Sequence, residues 1–476
     1  MSLRTTIFLR EDTKSWFLNK KLKMSVSLLV DLYELTMGQI YFIYKKNTSA
    51  TFDLFVRSLP ANRGYLVSCG LEDILNYVKN LKFSREDLGY LKKQGIFSAD
   101  FLRYLSNFKF TGDIWAMPEG EIFFANEPVI RVTAPIIEAQ LIESFLLNTI
   151  NLQAMIASKA SRVVLSAQGR KVYDFALRRT HGQDAGIKVA REAYVAGFCG
   201  TSNTLAGKLY NIPVAGTMAH SFVMSFKHEI DAFLVYAETF PRKSILLVDT
   251  YDTIKGIENA VTIGLYLKEK GYRLQGIRLD SADITSLSKS ARKMLDKTGL
   301  NYVKIFASGN LDEFKIKDLL KRGAAVDSFG VGTNMGTSID APYLDVIYKI
   351  SEVTNEEGAF LPTMKLSKGK VTYPGRKQVF RIEDKKGRFI KDILGLEKEK
   401  IRGRPLLKKV VAKGRIIYKP PSLDKIRGAV KDNLCGFPKK LKEVYAGYEY
   451  PVIISPQLKK LRSSLARQLE KRQRVG

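Results

Sequence analysis

A chain of 476 residues, 45% hydrophobic and 11% aromatic, is long enough for two or three domains with large cores. It contains no run of about eighteen apolar residues, which excludes a membrane-spanning helix. Its three cysteines, Cys69, Cys199 and Cys435, are far apart and odd in number, which excludes a disulfide framework and a zinc pattern. The formal net charge of +29 is uneven: residues 361–476 hold 32 Lys or Arg against 10 Asp or Glu, residues 1–30 hold six against two, and the long middle is nearly balanced. Such a field attracts phosphates. The basic end nevertheless contains strand-like runs with tyrosines, as in VVAKGRIIYKPPSLD and YEYPVIISPQLKKL, so it reads as a folded region with lysines outside.

Residues 1–24 read either as a weakly ordered extension or as sequence upstream of a start at Met24. The opening MSLRTTIFLREDTK has acidic residues and only a short apolar patch, unlike a secretory signal, so a reducing, cytoplasmic setting is expected. LLVDLYELTMGQIYFIY (28–44) is apolar at helical spacing and predicts a buried helix. ATFDLFVRSLP contains a strand, and NRGYLVSCGLEDILNYVKNL a strand or loop and then a helix. EGEIFFANEPVIRVTAP gives two strands around an Asn126-Glu127-Pro128 turn, and IIEAQLIESFLLNTINLQAMIASKASRVV one or two helices.

From Lys171 a beat sets in. Short apolar runs end in polar or glycine residues and are followed by helix-like segments: YDFALRR (173–179), GFCGTSN (197–203), PVAGTMAH (213–220), ILLVDTYD (245–252), GIRLDSAD (276–283), KIFASGN (304–310) and DSFGVGT (327–333). The anchors Thr217, Asp249, Asp280, Ser308 and Gly332 are 32, 31, 28 and 24 residues apart, the length of a strand, a helix and two loops. This predicts an α/β fold: an irregular TIM-like (β/α) barrel of about six or seven strands, whose strand ends share one face. After about residue 345 the beat fades; a turn at Lys368-Gly369-Lys370 and lysine-rich strands follow. The expected division is an N-terminal α/β domain at 25–135, the barrel at 136–355 and a basic β-containing region at 356–476. The first and last of these pack together as one α+β domain.

The strand ends supply the candidate chemistry. His220, among small residues past PVAGT, is an accessible imidazole that can be a base, a ligand or a phosphoryl acceptor, or an ordinary loop histidine. Asp249 and Asp280 end apolar strands, where a carboxylate can orient an imidazole, contact ribose or hold a divalent cation; Asp252 and Asp283 read as helix N-caps. Ser308-Gly309-Asn310 and Gly330-Val331-Gly332-Thr333 follow late strands, where glycine lets backbone N–H groups approach phosphate, although tight packing is the plainer role. Arg178 and Arg179 favour a polyanion, and Phe175 beside them can stack on a flat ring or fill a core.

These residues resemble the nicotinate phosphoribosyltransferases, through VDLYELTMGQIY, EAQLIESFLLNTIN, YDFALRRTHG, FCGTSNTLAG, GTMAHSF, VDTYDT, IRLDSAD, ASGNLDE and FGVGTN in order. The resemblance spans about Leu29 to Lys349. It implies transfer of the phosphoribosyl group of 5-phosphoribosyl 1-diphosphate to nicotinate, coupled to ATP hydrolysis, in NAD salvage. By the same resemblance His220 is the phosphorylated histidine and Asp249 supports its ring. The pyridine ring lies between Phe175 and a tyrosine matching Tyr33 from the other subunit of a homodimer. Arg278 and Thr217 contact nicotinate, Arg178 lies near ring and phosphates, Arg179 serves the phosphates, and Asp280 contacts ribose. Residues 308–310 and 330–333 become phosphate loops, with Gly309-Asn310 where many relatives have Asn-Asp. Magnesium enters with the substrate phosphates, with no protein metal site and no zinc. Ser202 stands where nicotinamide-using relatives carry Asp; a neutral donor accepts a carboxylate that an Asp would repel. The alternatives are a nicotinamide- or quinolinate-using relative and a basic nucleic-acid-binding protein on a barrel scaffold. Neither a nucleic-acid nor a membrane partner is expected.

Overall fold

The computed structural model describes residues 26–281, 283–367, 372–445 and 447–475. The expectations for residues 1–24 and for the Lys368-Gly369-Lys370 turn lie outside the described residues.

Six short parallel strands form one sheet: β1 Lys171–Asp174, β2 Gly200–Thr201, β3 Ile245–Leu247, β4 Gly276–Leu279, β5 Lys304–Ala307 and β6 Ser328–Val331. Their spatial order is β2-β1-β6-β5-β4-β3. The residues are apolar because both faces are covered, and Leu246, Leu247, Ile277, Leu279, Ile305, Phe329 and Val331 are fully buried. Parallel neighbours require crossovers, and helices Gln183–Val195, Thr253–Glu269, Ile284–Lys297 and Glu313–Lys321 provide them. Pairing in step, from Gly276↔Lys304 to Leu279↔Ala307 and from Lys171↔Ser328 to Asp174↔Val331, brings the strand ends to one level. The expected strand after Pro213 is reduced to a single bridge, Thr201↔Val214. Pro213 has no N–H to extend a ladder and only accepts, from Thr201 N at 3.0 Å.

A second, seven-stranded sheet draws on chain before and after this region. Its order is Phe360–Pro362, Val346–Thr354, Ser49–Val56, Pro128–Pro135, Asp113–Ala116, Lys408–Ala412, Arg415–Ile416. A four-stranded sheet of Arg404–Pro405, Lys377–Glu383, Phe389–Leu396 and Val452–Ile454 follows. The architecture is therefore α/β, with a barrel-like parallel part beside separate sheets.

Helix Glu143–Ser166 runs between the two parts and is buried along most of its length. It carries Lys159, fully buried, whose Nζ lies 2.7 Å from Glu313 Oε2 and 2.7 Å from Asp340 Oδ1. Arg162 Nε meets Glu313 Oε1 at 3.0 Å, and Arg63 Nη2 meets Asp340 Oδ1 at 3.3 Å. Helix Leu32–Tyr44 corrects an expectation. One side packs closely enough that a Cβ on Gly38 would stand 3.3 Å from Phe101, but Leu32, Tyr33, Ile40, Ile43 and Tyr44 are exposed. Its apolar spacing is helical, yet this chain alone covers only one face.

Candidate active site

The ends of β4 and β5 fix one connected hydrogen-bonded group. Arg278, on β4, donates from Nε to Ser308 Oγ at 2.8 Å and from Nη1 to Thr217 Oγ1 at 3.2 Å and Met218 O at 3.4 Å. Its Nη2 pairs with Asp280 Oδ1 at 3.4 Å, and the guanidinium stands 5.5 Å from the centre of the Phe175 ring. The Ser308 hydroxyl donates to Asp280 Oδ1 at 2.6 Å. Burial pushes the Asp280 carboxyl up, but the Ser308 hydroxyl and the Arg278 guanidinium outweigh it and hold the group below the usual carboxylate range. Asp280 thus remains charged at neutral pH.

His220 opens the short helix His220–Met224 and is partly exposed. Its Nδ1 lies 3.2 Å from Thr250 Oγ1 and its Nε2 3.7 Å from Asp280 Oδ2. Asp249 is placed differently from a direct ring support: its Oδ2 accepts from Asp280 N at 2.6 Å and from the Ser281 hydroxyl. Asp249 Oδ1 is buried with no hydrogen-bond partner among the described residues. Asp249 therefore holds the backbone that presents Asp280, and the imidazole meets Thr250 at Nδ1 and Asp280 at Nε2. Residue type alone does not mark Thr250 or Ser281, although each adjoins a strand-end aspartate. Asp252 and Asp283 cap the helices behind, accepting from Lys255 N at 2.7 Å and Ser286 N at 3.2 Å.

Phe175 follows β1, its N–H bonded to Val331 O at 2.9 Å, and its ring stacks on Phe306 at 5.6 Å between centroids. The glycines of β6 make room for it. A Cβ on Gly330 would come within 2.8 Å of the rings of both Phe175 and Phe306, and one on Gly332 within 2.9 Å of Phe175 O. Gly332 precedes the four-residue helix Thr333–Gly336, so Thr333 sits at that helix's first position. Gly309 (φ 99°) and Asn310 (φ 54°) turn in the left-handed region, where a Gly309 Cβ would meet Asp280 O at 2.7 Å. Asn310 O accepts from Lys315 Nζ at 2.9 Å and Asn334 Nδ2 at 3.2 Å. Ser202 is half-buried on the turn after β2, and its N–H donates to Asp174 O at 2.8 Å. Arg178 and Arg179 are exposed in the turn Leu177–Arg179 and make no ion pair with a described residue.

Tyr33 lies elsewhere. It lies half-exposed on helix Leu32–Tyr44, where partial burial and then the neighbouring Glu143 carboxylate raise its hydroxyl pKa. No hydrogen bond or ring contact among the described residues joins it to Phe175, Arg278 or His220. Among the described residues no cluster of three His, Cys, Asp or Glu side chains can hold a metal, and no helix is long and apolar enough to cross a membrane.

Three stretches match known families. Residues 28–151 match the nicotinate phosphoribosyltransferase (NAPRTase) N-terminal domain, residues 170–377 the NAPRTase family, and residues 400–462 the nicotinate phosphoribosyltransferase C-terminal domain. A nicotinate phosphoribosyltransferase of Mycobacterium tuberculosis is 45% identical over 434 residues, 91% of this chain and 92% of that one. That of Bacillus subtilis is 39% identical over 463 residues, 90% and 93% of the two chains. The fold matches human nicotinic acid phosphoribosyltransferase with a TM-score of 0.81 at 27% identity, over 91% of this chain and 99% of that one. It also matches a nicotinate-nucleotide pyrophosphorylase from Pyrococcus furiosus, with a TM-score of 0.70 at 25% identity over 91% and 99%.

Proposed function

Because the chain belongs to the nicotinate phosphoribosyltransferase family, and is an enzyme of that type acting in NAD synthesis, we propose that its strand ends bind nicotinate and 5-phosphoribosyl 1-diphosphate and couple their reaction to ATP through His220. The observation that carries this reading is the Arg278 guanidinium, locked by Ser308, Thr217 and Met218 O at 5.5 Å from the Phe175 ring. A fixed cation beside an aromatic face suits a flat ring bearing a carboxylate. Ser202, in the turn after β2, adds a neutral donor at the strand ends, and an acid in its place would repel the substrate.

The pyridine nitrogen attacks the ribose C1 as the bond to diphosphate breaks, and positive charge grows on the ribose. Asp280, kept ionised, stabilises that charge, and the exposed guanidinium groups of Arg178 and Arg179 suit phosphate oxygens. Asp249 Oδ1, buried without a hydrogen-bond partner, and the Asp280 carboxylate are hard oxygen donors that fit Mg2+ brought with the substrate phosphates. Such an ion would neutralise the charge of the departing diphosphate. With Nδ1 of His220 hydrogen-bonded to Thr250, Nε2 is the nitrogen that takes the phosphoryl group of ATP: the N–P bond forms, the bond to ADP breaks, and water later releases phosphate. Tyr33 makes no hydrogen bond or ring contact with Phe175, Arg278 or His220 of its own chain among the described residues, and in the proposed homodimer Tyr33 of the partner subunit closes the ring site. A cytoplasmic setting accords with three free cysteines.

The test is product formation from nicotinate, 5-phosphoribosyl 1-diphosphate and Mg2+, with and without ATP. Nicotinate mononucleotide and diphosphate are expected, with ATP raising the yield. Equal or better use of nicotinamide would overturn the substrate assignment.

A further inference from the structure

The Asp174 carboxyl at the end of β1 is 1% exposed and has no cation against it among the described residues. Its Oδ1 accepts from Ala176 N at 2.8 Å, closing a side-chain turn that ends the strand. Its Oδ2 accepts from the Thr201 hydroxyl at 2.6 Å, and the Thr201 oxygen accepts in turn from Asn203 N at 3.0 Å. Phe175 is therefore bracketed by Asp174 and Ala176, and Ser202 by Thr201 and Asn203. One buried carboxyl ties both brackets together across neighbouring strands. A carboxylate without a cation is costly in a core, and leucine or valine would fill the space without that cost.

We propose that Asp174, acting through Thr201, is a positioning residue that sets the spacing between the Phe175 ring and the Ser202 hydroxyl, and so the fit for an aromatic carboxylate. It touches no substrate itself. The inference rests on the reading of this pocket as the nicotinate site.

Thr201→Val keeps the volume and removes the bridge; Thr201→Ser keeps the bridge. In the full-length protein, Thr201→Val should raise the KM for nicotinate about tenfold or more, since small misplacements in a binding site have large effects. The KM for 5-phosphoribosyl 1-diphosphate should stay within about twofold, and Thr201→Ser should return the nicotinate KM to within about threefold of wild type. A folded Thr201→Val protein with an unchanged nicotinate KM, or with both KM values raised together, overturns the proposal. If Thr201→Val does not fold, Asp174→Asn is read by the same two constants; failure of both to fold also overturns it, because the couple is then a requirement of the fold. A wild type that ignores nicotinate sinks the underlying reading, whereas an active wild type with indifferent variants sinks only the spacing role.

Discussion

Gly330 and Phe175 define each other. The ring occupies the space that a side chain on β6 would fill, so Gly330→Ala must push Phe175 or Phe306 aside. The nicotinate KM of that variant should rise about tenfold, with about 1–3 kcal/mol of stability lost to overpacking, as steady-state kinetics and a melting curve would reveal. Ser202→Asp is expected to lower kcat/KM for nicotinate at least about tenfold by setting like charges together; a variant with wild-type preference between nicotinate and nicotinamide would refute the role of Ser202. His220→Ala should lose ATP hydrolysis and the ATP stimulation while some ATP-independent transfer persists. The residue types at strand ends were legible because a polar group at the end of an apolar run needs a reason. Their partners were not. Nothing in VDTYDT says that Thr250 rather than Asp249 meets the imidazole, because one residue at a strand end turns a side chain toward a different neighbour. The glycines of FGVGT read as a phosphate cradle, and both also stand against Phe175, a contact between strands that no local spacing encodes.

At the scale of elements, helix Glu143–Ser166 shows where pattern reading stops. Its apolar residues marked it as a helix, but Lys159 in MIASKASRVV gives no sign that it will be buried against Glu313 and Asp340, residues brought near only by the barrel. Lys159→Met leaves Glu313 with Arg162 alone and Asp340 with Arg63 alone, and the lost charge-assisted contacts should destabilise the protein by about 1.5–3 kcal/mol, measured by denaturant unfolding. The start of the same helix packs on helix Leu32–Tyr44, where Ser144 Oγ donates to Glu34 Oε1 at 2.6 Å. Burial pushes the Glu34 carboxyl up to about 7, with Glu143 and Asp31 adding to the shift. Between the usual 4.5 and about 7 the folded chain keeps a proton that the unfolded chain has lost, so this group's contribution is full at low pH and fades as pH rises through that window. Glu34→Gln, neutral throughout, should gain stability relative to wild type from about pH 5 to pH 8. Urea midpoints for the two proteins that run parallel across that range would exclude the effect.

For the whole molecule, the exposed side of helix Leu32–Tyr44 is the surface through which the proposed second copy is tested. Mixing and refolding Tyr33→Ala with His220→Ala chains should restore ATP-coupled turnover to about a quarter of wild type, because half the dimers are mixed and each has one intact site. No recovery would place Tyr33 outside the neighbour's pocket. The parallel region was legible from its beat, while the seven-stranded sheet was harder to see: its strands carry similar apolar runs but pair across distant parts of the chain. Ser49–Val56 lies between Pro128–Pro135 and Val346–Thr354, so its second neighbour follows it by roughly 300 residues. On the ribosome that strand waits with one side unpaired while the entire parallel region is synthesised, about 15–60 s at ordinary elongation rates. During that interval the apolar face and open edge of a half-built sheet are available to chaperones and to other nascent chains, so the yield of active enzyme depends on translation speed as well as on final stability.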